Sequence, residues 1–188
     1  MKFSKNFLLV FLLLIVVAAL YRVIPGRPLG FAPHLAMALF GGAVIKDKKW
    51  AFALPVFSLF ISDLLYQFLY SNGLSDTPGF YEGQWLNYLW FVAITCLGFT
   101  MRNFKAGNII SYSFLTPTVY FLLSNFSVWI GGGGLQRPKT FGGLMQCYID
   151  GLPFYRGAIL ATVVFSALFF GTYFLANRNK SVEQPLKA

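Results

Sequence analysis

In a chain this apolar, the polar side chains that remain mark where its chemistry must lie. Within TVYFLLSNFSVW (Thr118 to Trp129), Phe121, Asn125 and Trp129 stand at i, i+4 and i+8. On a helix, one face then carries an amide between two aromatic rings, with Ser124 and Ser127 beside it. A second stripe, Asp63, Tyr66, Gln67 and Tyr70, falls at i, i+3, i+4 and i+7 with Ser62 adjacent. Buried in apolar surroundings, such groups cost free energy unless something hydrogen-bonds them, so both stripes must face protein or water. Together they suit recognition of a small polar molecule by hydrogen bonds and ring stacking. Asp63 has a competing structural reading, as a buried carboxylate that pairs with Arg22 or Arg156, pins helices together and touches no ligand.

Catalysis finds no such support. His34 is the sole histidine, and no serine stands at a spacing that would build a triad with it. At a helix start it reads as a capping or hydrogen-bonding residue, with a proton relay toward Asp63 as the alternative. The chain has no GxGxxG, P-loop or HExxH motif, and Cys96 and Cys147 form no CxxC. We therefore expect neither an enzyme nor a cofactor, metal site or ATP-using module.

The elements that must position these residues are membrane spans. Of 188 residues, 57% are hydrophobic, 19% aromatic and only 11% charged, where a soluble domain carries about 25% charged residues. The net charge of +9 is scattered between apolar runs, which fits a loop bias in a membrane protein and argues against nucleic acid. The expected fold is all-α, a single domain of six transmembrane helices at about 7–24, 31–45, 50–70, 85–101, 109–130 and 157–176. The first run also fits a signal peptide, but its removal would upset the charge pattern, and retention is the preferred reading. The second is short, about 22 Å against a hydrocarbon core of about 30 Å, so it is expected to be tilted little, to start earlier, or to line a water-filled vestibule at its outer end.

With the N-terminus inside, Lys2, Lys5, Lys46, Lys48, Lys49, Arg102, Lys105, Arg178, Lys180 and Lys187 are cytoplasmic, against Arg22, Arg27, Arg137, Lys139 and Arg156 outside. Ten against five predicts cytoplasmic termini in a bacterial inner membrane. Asp63 then lies about 20 Å up its span and Asn125 about 24 Å up its own, at one level near the outer face. His34, Arg22 and Arg156 gather at the same end. The stretch 131–155, rich in glycine and aromatics, is expected to be a long outer loop folded as a partly ordered cap or re-entrant segment. Ala32, Ala36, Ala38 and Gly42 form a small-residue face on span two, which would pack a neighbouring span or a partner subunit's helix.

Arg22-x-x-Pro25, Pro33-x-x-Ala36-x-Ala38-Leu39-Phe40-Gly41-Gly42-Ala43, Ser62-Asp63, Ser124-Asn125-Phe126-x-x-Trp129 and Leu152-Pro153-Phe154 together resemble an uncharacterised bacterial family of six-span proteins read as transporters. Members of that family usually carry an Asn shortly before the proline of span two, where this chain reads Leu29-Gly30-Phe31-Ala32-Pro33. The family is in turn distantly similar to the substrate-binding subunits of energy-coupling-factor vitamin transporters. That similarity implies capture of a small molecule at the outer face and docking onto a transmembrane coupling subunit with ATPases. The expected function is thus a membrane transport component binding a small, aromatic or partly anionic molecule in an outward-open cavity. Asp63, Asn125 and Trp129 would form its wall together with Tyr66 and Gln67, while Arg22, His34 and Arg156 would supply charge at the mouth. The rival reading is a structural or accessory subunit of a larger membrane complex.

Overall fold

The computed structural model describes residues 5–177; Lys2, Arg178, Lys180 and Lys187, four of the charges used to orient the chain, lie outside them. The described residues form six α-helices: α1 Lys5–Val23, α2 His34–Val44, α3 Lys48–Ser71, α4 Gln84–Phe99, α5 Ala106–Gly131 and α6 Phe141–Asn177. Among these residues there is no strand. Three helices, α3, α5 and α6, are long and apolar enough to cross a membrane. Phe57, Phe60, Leu64 and Phe68 of α3 and Leu160, Val164, Leu168 and Leu175 of α6 are exposed on the outside of the protein. Water would not tolerate so much contiguous apolar surface, which marks a membrane protein.

The short helix α2 sits at the centre and packs on α3, α4, α5 and α6. Eight of its 11 residues are buried. Its small residues make this possible. A Cβ on Gly42 would collide with the Thr95 carbonyl of α4, and one on Gly98 would lie 2.6 Å from the Leu39 carbonyl. The small-residue face, expected to pack a neighbouring span or a partner subunit, thus includes at Gly42 a backbone-to-backbone crossing of α2 and α4 within the chain. Around it Met37 packs with Phe11, Ile15 and Leu54, while Leu35 and Ala38 pack with Leu59, Phe91 and Ile94.

The expected long loop between spans five and six needs correction. The helix restarts at Phe141 and runs unbroken for 37 residues, leaving only 132–140 as connection. Two glycines of the restarted helix, Gly143 and Gly151, serve close packing. A side chain at Gly143 would strike the Pro138 carbonyl, and one at Gly151 would strike the Asn125 amide of α5. Pro153 lies inside α6 without ending it, as Pro55 and Pro117 do in α3 and α5. Bidentate hydrogen bonds from Arg137 to Asp150 (2.8 and 2.9 Å) close the α5–α6 hairpin.

Candidate functional site

Two polar groupings lie side by side at the end of the bundle where α1 finishes and α2 begins. The first surrounds Asp63 of α3, which is buried. One carboxylate oxygen accepts from the Arg22 guanidinium of α1; the other accepts from the Gln84 amide and the Tyr88 hydroxyl of α4. Ser62 Oγ accepts from Arg22 at 2.6 Å and donates to the Leu59 carbonyl at 2.8 Å. The Tyr66 hydroxyl donates to the Arg22 carbonyl at 2.7 Å, and its ring lies 5.5 Å from the guanidinium. Gln67 takes the backbone N–H groups of Gly79 and Phe80, at 3.2 and 3.3 Å, and so holds the α3–α4 connection down. This cluster ties α1, α3 and α4 together, and Arg22 is the partner that the structural reading of Asp63 named.

The second grouping surrounds a cavity of about 320 Å³. It exists because α2 is only 11 residues long, about 16 Å. Beyond its first residue, His34, the chain becomes the α1–α2 connection, which lies against α6. The backbone contacts there are close: a Cβ on Gly30 would meet the Phe154 carbonyl, and one on Gly157 the Leu29 carbonyl. Between that connection, the start of α2 and helices α4, α5 and α6 the cavity remains. Its wall is aromatic, with Phe91, Tyr120, Phe121 and Tyr155. Phe121 and Tyr155 stack at 4.5 Å with an interplanar angle of 26°. Asn87 accepts from the Tyr120 hydroxyl. Asn125 donates to the Phe121 carbonyl of its own helix at 2.9 Å, and its Oδ1 meets no donor among the described residues.

Of the eight sequence candidates, Arg22, His34 and Asn125 line the cavity. Asp63, Tyr66 and Gln67 stand one layer behind, in the cluster that holds Arg22. Trp129 lies beyond the cavity, at the end of α5: its indole donates to the Pro138 carbonyl at 2.8 Å and Lys139 sits 5.5 Å from its ring. Two turns of helix separate Trp129 from Phe121, and the α5–α6 connection folds onto it first. Arg156 is exposed and has no partner among the described residues. Its neighbour Gly157 faces the α1–α2 connection, so the arginine, about 100° round the helix, points elsewhere.

A family of unknown function (DUF6580) matches residues 2–184. The chain belongs to that family. Among curated proteins, and among solved structures, nothing matches it. For this DUF6580 chain, then, the site's own geometry must carry the functional argument.

Sequence reasoning missed several of the residues involved. Gln84, Asn87, Tyr88 and Phe91 follow the same i, i+3, i+4, i+7 spacing on α4 that drew attention to α3, and the same test would have found them. Arg27 gave no such signal. It lines the cavity with its Nε on the Arg22 carbonyl (3.2 Å) and its Nη1 on the Phe31 carbonyl (3.0 Å). Only the folded connection places it there. Ser58 was equally silent. Its hydroxyl joins α3 to the Ile15 carbonyl of α1 and to His34 Nε2 of α2, each at 3.1 Å.

Proposed function

We propose that this protein is a membrane transport component that binds a small, aromatic or partly anionic molecule in the cavity above α2. The cavity itself is the observation that carries the reading. At about 320 Å³ it lies at the lower end of the range of about 300–1,000 Å³ usual for small-molecule sites. Its wall also has their composition, stacked rings with a few convergent polar groups. Arg22 and Arg27 line it and no carboxylate does, which favours an anionic or electron-rich ligand.

In this reading the chain crosses a bacterial inner membrane six times with both termini cytoplasmic, as the ten-to-five distribution of basic residues supports. The cavity then opens outward. A coupling subunit with ATPases would supply the energy, as the resemblance to vitamin-uptake subunits implies, because no nucleotide motif is present in this chain. The accessory-subunit alternative drew on the small residues of α2, and Gly42 among them is engaged by the chain's own α4.

Native mass spectrometry of the detergent-purified protein tests the proposal. The unaltered chain is expected to retain a small molecule. Ala158→Phe, which places a ring in the cavity, is expected to lose that molecule while the protein stays folded. A stoichiometric protein partner with no ligand in either form would replace this reading with the accessory-subunit one.

A further inference from the structure

The N-terminus of α2 is buried and uncapped. Pro33 stands at the N-cap with no side-chain hydrogen bond to offer, and Met37 N–H already reaches back to the Pro33 carbonyl at 2.9 Å. The N–H groups of His34, Leu35 and Ala36 have no acceptor among the described residues, although these residues are only 2%, 6% and 0% exposed. Beside them His34 Nδ1 is a buried nitrogen without a partner. His34 and Leu35 both line the cavity. Unpaired groups of this kind cost free energy in the empty protein, and a ligand that pairs them recovers it.

The far side of the imidazole decides what Nδ1 can do. The Ile15 carbonyl can only accept, so the single hydroxyl proton of Ser58 goes to it. Ser58 Oγ then accepts from His34 Nε2–H, which leaves Nδ1 a bare lone pair. On the two residues that line the cavity, His34 and Leu35, the uncapped end therefore offers two N–H donors and one acceptor. A carboxylate satisfies the donors but meets Nδ1 lone pair to lone pair. A carboxyl group carrying one proton satisfies both, with its C=O on the backbone N–H groups and its O–H on Nδ1. The same match arises with the proton on Nδ1 and the carboxylate accepting throughout.

Charge favours an acid over a neutral amide of the same shape. The helix start and the two lining arginines make the potential positive. The charged and titratable groups disposed around this end are Arg22, Arg27, Asp63, Tyr88, Tyr120 and Tyr155, of which only Asp63 is acidic. Its oxygens are taken by Arg22, Gln84 and Tyr88.

We propose that the start of α2 seats the carboxyl group of an aromatic acid together with one proton, shared between the ligand and His34 Nδ1. The inference rests on the cavity being a ligand site, as argued above. The free acid is a carboxylate and the free histidine is neutral, so the complex holds one proton more than its parts, taken from solvent. Entry of the anion is thereby coupled to a proton within the chain itself.

Calorimetric titration of the full-length protein in detergent with benzoate, and separately with benzamide, in buffers of different ionisation enthalpy, tests this. About one proton is expected per benzoate bound, with Kd rising about tenfold per pH unit between about pH 6 and about pH 8. Benzamide is expected to bind at least about tenfold more weakly and without pH dependence. His34→Gln keeps a donor toward Ser58 and removes Nδ1, so proton uptake is expected to vanish and the pH profile to flatten. Should that variant not fold, proton uptake by the unaltered chain still decides. Benzoate binding without proton uptake, or benzamide binding as tightly, overturns the inference and leaves the cavity reading standing. If neither probe binds, the inference falls, and if Ala158→Phe also retains the same co-purified mass as the unaltered chain, the cavity reading falls with it.

Discussion

The Asp63 cluster and the cavity above α2 share Arg22, lie at the same end of the bundle and are built from the same kinds of residue, yet they are opposites in one respect. Around Asp63 the hydrogen-bonding is closed: both carboxylate oxygens, the Ser62 hydroxyl and the amide of Gln84 have protein partners. Around the start of α2 it is open: among the described residues, three backbone N–H groups, His34 Nδ1 and Asn125 Oδ1 have no partner. A closed cluster holds helices together. An open one leaves polar groups unmatched among the described residues. The costliest residue in the sequence, Asp63, belongs to the first kind, and the quieter His34 to the second.

That contrast can be broken by substitution. The largest effect is expected from Asp63→Ala, which strands Arg22 and should cost about 3–5 kcal/mol of stability, read as a fall in melting temperature in detergent. Were this variant stable but unable to bind ligand, the two regions would have to exchange roles. Next comes Gly157→Val, whose Cβ meets the Leu29 carbonyl. Pushing the connection off α6 should cost about 1–3 kcal/mol and deform the cavity, so stability and ligand retention fall together.

Trp129→Ala and Asn125→Ala separate the regions more finely, because the two residues share one helix face. Trp129→Ala should lose about 1–2 kcal/mol through the Pro138 hydrogen bond and the Lys139 contact, with ligand affinity unchanged. Asn125→Ala should do the reverse, weakening ligand binding about tenfold at a stability cost below about 1 kcal/mol. Both are read by thermal melts with and without ligand. The smallest effect belongs to Arg137→Gln, whose ion pair with Asp150 is half-buried and partly open to water. It is expected to leave the melting temperature and ligand retention unchanged, most clearly at high salt.

Much of this organisation was legible beforehand. Charge-poor apolar runs can only be satisfied as helices in lipid, so the six helices and their order followed from composition. The stripe on α3 marked Asp63, Tyr66 and Gln67 as protein-facing correctly, since spacing on a helix is a local property, whereas its last member, Tyr70, is exposed. What failed was inference across elements. The glycine-rich stretch 131–155 read as a loop, because sequence cannot distinguish a glycine that bends freely from one such as Gly151 that lets a second helix approach. Trp129 was grouped with Asn125 for sharing a face, and depth along α5 separates them.

Composition and periodicity alone thus determined an all-helical chain with apolar faces for lipid and a few polar stripes turned inward, because each depends only on neighbours within one helix. Which stripe would be saturated, and which left open, was decided by the fold. It depends on α2 beginning only at His34 and on the α1–α2 connection crossing to α6 at Gly30 and Gly157. It depends also on Ser58 fixing the imidazole from a third helix. Those contacts join residues from 24 to more than 120 positions apart, and no local pattern encodes them.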